Sequence, residues 1–428
     1  MKNNPPILSQ IADFIVSAKD FDDPTIHQAS RIIADTFGTA FSGIQTAAFL
    51  AAIKSMDVLF GKGSLPIWGT GNSSTLQGAV FYNALAISST DFDEGHRKAV
   101  GHPASLVVPT AMVLGEFLQA SFSEVLHAVV IGYEIGTRFS HARIASKITT
   151  YSSGRWGAIA TATTAAVLLK LSHTQTIHAL SNAAVLSPAM LRGSTDVSTG
   201  SMSKEGVAWA AQSGLQSALF AKDGFSGPYL FVDEVDDYDK ENLLEGLGQS
   251  WLINSNYFKP YACCRWLHSA IEATLQIAKD SKIDIPEIAQ IEVRIFERAI
   301  DLVGNKYPEN TVQAQFHLPY TIACALLYGK VIPSFFNDEF LRKDEIRQLI
   351  DKIEMKASTV YSKAFPTKLP SSVNINFKDG SVLSKEIETA PWDADCQPTD
   401  EELKSKFIDQ VGEGGEQLWD EFFLWSDD

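Results

Sequence analysis

Between Ala158 and Leu171 the chain reads AIATATTAAVLLKL, a stretch with scarcely a polar face. In VAWAAQSGLQSALFA, Val207, Ala211, Gly214 and Ala218 fall on one helical stripe. A helix that is apolar all round has to be buried all round, and small residues at helical spacing let two axes approach closely. The two stretches therefore predict a compact all-helical bundle whose central helices are enclosed by their neighbours. Their threonines are expected to bond the carbonyls four residues back. Helical patterns of this kind run from Ile7 to about Leu252.

After Lys259 the texture changes. In IEVRIF, Ile291, Val293 and Ile295 alternate with Glu292, Arg294 and Phe296, while VNINFKDGSVL alternates and then turns at Asp379-Gly380. These are strands and a hairpin, and helical stretches such as LPYTIACALLYGKV and DEIRQLIDKIEMKAS lie between them, so this portion reads as a smaller α+β domain. The tail, TDEELKSKFIDQVGEGGEQLWDEFFLW, is amphipathic helix again and is expected to return to the first domain. The organisation is thus a helical domain over 1–257, an inserted α+β lid over 258–392 and a helical return over 393–428. A length of 428 residues agrees, since it exceeds what one compact core usually holds.

The formal charge of −16 argues against nucleic acid or an anionic membrane as the main partner, because both need clustered Lys and Arg. A small anionic substrate would need a local cationic pocket. Cys263, Cys264, Cys324 and Cys396 are too few for a disulfide framework, no apolar run approaches ~20 residues, and a cytoplasmic location is expected. The sequence has no CxxC pair, HExxH, GxGxxG loop or GxxxxGK[ST] loop, so neither a metal cluster nor a nucleotide loop is expected.

Four clusters are richer in titratable groups than their apolar flanks require. STDFDEGHRKAVGHPASLVVP, residues 89–109, holds three acids, two histidines, an arginine and a lysine. TTYSSGRWGA puts Tyr151 and Arg155 before a small-residue helix, where free N–H groups favour an anion. GSMSKEGVAWAA sets Lys204 ahead of another. YFKPYACCRWLHSAIEA carries Lys259, Tyr261, Arg265 and His268 at the change of texture, and clefts form at domain boundaries. Cys263 and Cys264 read as small buried hydrophobes.

Together with IADTFGTAFSG, SKEGVAWAAQSG and QFHLPYTIACALLYG, these clusters resemble the MmgE/PrpD family along nearly the whole chain. The resemblance implies the helical domain with an inserted lid, usually a homodimer, and chemistry without metal or organic cofactor. It implies proton abstraction beside a carboxylate of a small di- or tricarboxylate. Such a site needs a positioned base and cations for the carbanion. Residue by residue, Asp91 and His102 match the first motif, Lys204 the second, Lys259 the boundary motif and Tyr320 the tyrosine of QFHLPY. Gly95, the segment ITTYSS and Cys264 stand where dehydratase and decarboxylase members commonly carry threonine and histidines. HRKAVGHP and KPYACCRWLH look closer to the epimerase branch. The expectation is therefore an iminodisuccinate-like epimerase using Tyr151 and Lys204 as its acid/base pair, with Asp91 and His102 relaying protons. His96, Arg155, Lys259, Arg265, His268 and Tyr320 would bind substrate. A 2-methylcitrate-like dehydratase or cis-aconitate-like decarboxylase is the alternative, and a catalytically silent metabolite-binding homodimer the third reading.

Overall fold

The computed structural model describes residues 5–188 and 197–423 and is 58% helix and 9% strand. Several helices begin where the sequence supplies acceptors for their first free N–H groups. Asp22 caps α1 (Asp23–Gly43), with Pro24 in its first turn, and Thr75 caps α2 (Leu76–Ser88). α3 (Ala104–Leu118) is followed by α4 (Phe122–His141), opened by a reciprocal Ser121/Glu124 box. α5 (Gly154–Leu168) leads to α6 (His173–Val185), opened by Ser172/Gln175, and α7 (Val207–Lys222) follows.

α5 is the central helix, packed by α3, α4, α6 and α7. Small residues set these approaches: a Cβ on Gly214 would lie 2.2 Å from the Ala158 carbonyl, and one on Gly132 would lie 1.9 Å from Thr164 Oγ1. Thr163 and Thr164 bond the carbonyls of Ile159 and Ala160 at 2.9 and 3.0 Å, as expected of hydroxyls in a buried helix.

A second core runs from Tyr261 to Ala390 and takes in Phe92 from the earlier chain. Its sheet follows a two-residue contact between β1 (Gly95–His96) and β2 (Asn256–Tyr257). β3 (Ile288–Ile295) pairs in parallel with β4 (Ile353–Ala357) and antiparallel with β5 (Ser371–Phe377). β6 (Val382–Ile387) completes the order β4-β3-β5-β6. Ile291, Val293 and Ile295 are buried and the hairpin turns at Asp379-Gly380, as the alternation predicts. α8 (His268–Asp280) covers β5 and β6, and α9 (Leu318–Tyr328) packs on α8.

The chain then leaves this sheet. α10 (Asp400–Val411), opened by a Thr399/Glu402 box, lies on α1, and Leu403, Phe407 and Trp419 join the first core. Among the described residues no single helix is long and apolar enough to cross a membrane.

Candidate active site

After α2 the chain turns through residues 89–94, and Asp91 takes a left-handed φ of 52°. That conformation is costly for a residue with a Cβ and persists only where the surroundings impose it. Lys259 imposes part of it: its ammonium donates to the Asp91 carbonyl at 3.0 Å and to its Oδ1 at 3.1 Å. Lys204 Nζ lies 3.6 Å from the same oxygen and His102 Nε2 lies 3.8 Å from it. Among the described residues, Asp91 Oδ2 is buried without a hydrogen-bond partner. Burial alone would raise this carboxyl, but Lys204, Lys259 and His102 outweigh it and hold it well below the usual carboxylate range. Burial would lower Lys259, yet Asp91 and Asp93 win and raise it. Lys259 is therefore an ammonium group at neutral pH, rather than the base a lone desolvated lysine becomes.

Lys204 is presented by an unusual entry into α7. Lys204, Glu205 and Gly206 have φ of 37°, 56° and 69° in succession. Glu205 accepts from the Ser153 N–H at 2.9 Å and from its hydroxyl at 2.7 Å. Ser153 Oγ in turn accepts from the His102 N–H at 3.1 Å. The start of α5, the start of α7 and His102 are thus tied at one point. Lys204 also donates to Gln315 Oε1 at 3.0 Å, and Gln315 Nε2 donates to the Ser89 carbonyl at 3.0 Å. Gln315 belongs to the segment of the second core, so the cluster spans both cores.

Two further acids complete the cluster. Asp93 accepts from the Ser105 hydroxyl and lies 3.4 Å from His102 Nδ1, which donates to the Glu94 carbonyl at 2.6 Å. Glu94 accepts from the Ala104 N–H at 2.7 Å, at the start of α3, and from Tyr133 OH at 3.0 Å. Burial pushes its carboxyl up to about 8 despite both donors. Cys264 is half-buried, and burial followed by Asp91 pushes its thiol up to about 12. Asp91, Asp93 and His102 offer donor atoms within 4.8 Å of one another, a spacing a metal ion can use. A divalent cation there would meet the ammonium groups of Lys259 and Lys204 on Asp91 itself, and those two cations already fill the role.

Asp91, His102, Lys204 and Lys259 thus stand together, whereas the other expected residues make no hydrogen bond or ion pair with these four among the described residues. Tyr151 is 44% exposed and makes no hydrogen bond among the described residues. Arg155 is exposed on the first turn of α5. Arg265 is engaged by Asp393 through one terminal nitrogen and stacks 4.4 Å over the Tyr257 ring, and it makes no ion pair with Asp91. His268 is fully buried with Nε2 on the Cys263 carbonyl at 3.2 Å, and burial with nearby Lys259 pushes it down to about 3. His96 is buried in β1, accepts from the Lys98 N–H at 3.1 Å, and is likewise pushed down to about 3 by burial and Lys98. Both are neutral and offer no charge to an anion. Tyr320 lies wholly inside the second core with its hydroxyl on the Phe335 carbonyl. In QFHLPY it is Gln315, five residues earlier, that reaches the cluster. Asp93 and Glu94 were visible in the same acid run as Asp91, but the pattern alone does not assign their partners.

The geometry is that of a desolvated site with a carboxylate, two ammonium groups and an imidazole, suited to hold a polyanion and move a proton. Comparison with known proteins agrees. A model of the MmgE/PrpD N-terminal domain matches residues 9–237, and one of the MmgE/PrpD C-terminal domain matches 261–417. A cis-aconitate decarboxylase-like protein of Aspergillus oryzae is 23% identical, covering 94% of this chain and 89% of its own length. The cis-aconitate decarboxylase of Homo sapiens is 26% identical over 90% and 83%, and that of Aspergillus terreus 22% over 87% and 82%. The described fold and the two matched domains lead to one conclusion: the chain belongs to the MmgE/PrpD family of enzymes.

Proposed function

We propose that the enzyme is a lyase that decarboxylates a small unsaturated tricarboxylate of the cis-aconitate kind. The observation that carries this reading is the convergence of Lys204, Lys259 and His102 on Asp91 Oδ1, at 3.6, 3.1 and 3.8 Å. A polycarboxylate entering this site takes over the two ammonium groups from Asp91. When the C–C bond to the departing carboxylate breaks, CO2 leaves. The electron pair spreads over the neighbouring double bond and a remaining carboxylate, where Lys204 and Lys259 stabilise it. His102, its Nδ1–H fixed on the Glu94 carbonyl, delivers the proton from Nε2 to carbon and is reprotonated from water. The names of the relatives support this substrate class.

The epimerase expected from the sequence needs proton-carrying groups on opposite faces of one carbon. Tyr151, half exposed and without a bond to Lys204, supports that pairing less well. A homodimer and a cytoplasmic location belong to the same proposal. Four free thiols fit a reducing compartment, and light scattering coupled to gel filtration tests the dimer.

Incubation in D2O with cis-aconitate, 2-methylcitrate and iminodisuccinate, followed by NMR, tests the reaction. Loss of CO2 with one deuterium placed on carbon is expected, and His102→Asn should lower kcat by about 10²- to 10⁴-fold. Deuterium wash-in with inversion would replace the proposal by epimerisation, olefin formation from an alcohol by dehydration, and silence on all three acids by a binding role.

A further inference from the structure

Lys406 and Asp35 are both buried, on α10 and α1, and take no part in the chemistry above. A buried ion pair loses its hydration and is weak as a stabilising device, so its presence beside an active site asks for another reason. Lys406 Nζ lies 2.7 Å from Asp35 Oδ1, donates to the Phe92 carbonyl at 2.9 Å and stands 3.9 Å from the Phe92 ring centroid. Phe92 is the residue between Asp91 and Asp93.

The turn that carries these carboxylates is held largely by side chains. Gln315 donates to the Ser89 carbonyl, Lys259 to that of Asp91, Lys406 to that of Phe92 and His102 to that of Glu94. Gln315, Lys259 and His102 approach from the cluster itself, whereas Lys406 comes from the C-terminal helix. Asp91 is left-handed at φ 52°, so losing one donor lets the turn relax toward an ordinary conformation and carries the carboxylate off its partners.

We propose that Lys406 is a positioning residue, which fixes the Asp91 carboxylate for reaction by holding the Phe92 carbonyl, with Asp35 neutralising its charge. The C-terminal helix is thereby part of the construction of the site as well as part of the first core. The same contact explains why a lysine, with three donors on a flexible stem, stands there: one donor goes to Asp35 and another to the carbonyl. The proposal rests on the reading of Asp91 as a site carboxylate, but not on the identity of the substrate.

Lys406→Met alone would strand the Asp35 charge in the core, so the test variant is the charge-neutral Asp35→Asn/Lys406→Met. With a substrate that the wild type turns over, its kcat should fall by about tenfold to about a hundredfold, as for small misplacements of a reacting group. KM should stay within about twofold, and Lys406→Arg alone, which keeps charge and donors, should recover most of kcat. In parallel, amide hydrogen exchange over residues 89–103 should accelerate in the double variant and stay slow in Lys406→Arg. If the wild type turns over no acid tried, the function proposed above fails and the exchange measurement alone decides this one. A folded double variant with wild-type kcat, or with wild-type exchange over 89–103 where no substrate is found, overturns the proposal. If the double variant does not fold, Asp35→Asn/Lys406→Gln, which keeps a donor toward Phe92, has to keep most of kcat or slow exchange, and loss of both overturns it.

Discussion

At the scale of single residues, Gly95 was expected to be a missing hydroxyl. It is a missing Cβ: one built there would lie 2.2 Å from the hydroxyl and 2.4 Å from the ring carbon of Tyr257, its partner across β1 and β2. The glycine makes room for a phenol that arrives from the opposite strand. Gly95→Ala should therefore destabilise by about 1–3 kcal/mol through overpacking, and Tyr257→Leu should relieve most of that cost when the two are combined. Urea unfolding of the four proteins gives the coupling, and simple additivity would contradict this account. Glu94 makes a prediction in pH. Its carboxyl is raised to about 8 in the fold and titrates near 4.5 unfolded, so the folded state holds the proton more tightly. Its contribution is fully present below pH 4.5 and is lost as pH rises through 8. Glu94→Gln keeps an acceptor for the Ala104 N–H and should flatten the fall in Tm between pH 5 and pH 9. The acids and lysines of this site were legible because charge set among apolar runs is unusual. Gln315 was not, because which residue of QFHLPY faces the cluster depends on how α9 docks.

At the scale of elements, the stripe Val207, Ala211, Gly214, Ala218 is a contact surface, with Gly214 against the Ala158 carbonyl and Thr161 of α5. Gly214→Val would force α7 off α5 and should cost ~3 kcal/mol, read as a lower denaturant midpoint at unchanged m-value. An exposed substitution such as Lys279→Ala should cost almost nothing by comparison. Periodicity made the helices and the β5–β6 hairpin readable because both are local. The parallel pairing of β3 with β4 was not readable, since it joins residues some sixty apart through five intervening α-helices. Nor was the left-handed run Lys204–Glu205–Gly206, where two side-chain-bearing residues go against their own preference. Such conflicts between local propensity and structure collect at functional sites, and this one delivers the site lysine.

At the scale of the molecule, the formal charge of −16 and the polyanionic substrate of the proposed function set a problem that the site does not solve at long range. Lys204 and Lys259 sit on Asp91, with Asp93 beside them, and Lys406 sits on Asp35, so the buried ions pair off. Paired charges lose their field within a few ångströms, which leaves the approaching substrate to feel the net negative surface. On the proposed function, the site attracts carboxylates only on contact, when they displace Asp91 from its lysines. Capture should then be slowed by repulsion at low salt and released by screening, as the Debye length falls from about 30 Å at 0.01 M to about 8 Å at 0.15 M. The expected outcome is a kcat/KM for a tricarboxylate that rises a few-fold over that range at constant pH, with a smaller rise for a dicarboxylate of the same skeleton. A kcat/KM that fell with salt would mean that the site cations steer the substrate from a distance, and that Asp91 is displaced from them before the substrate arrives.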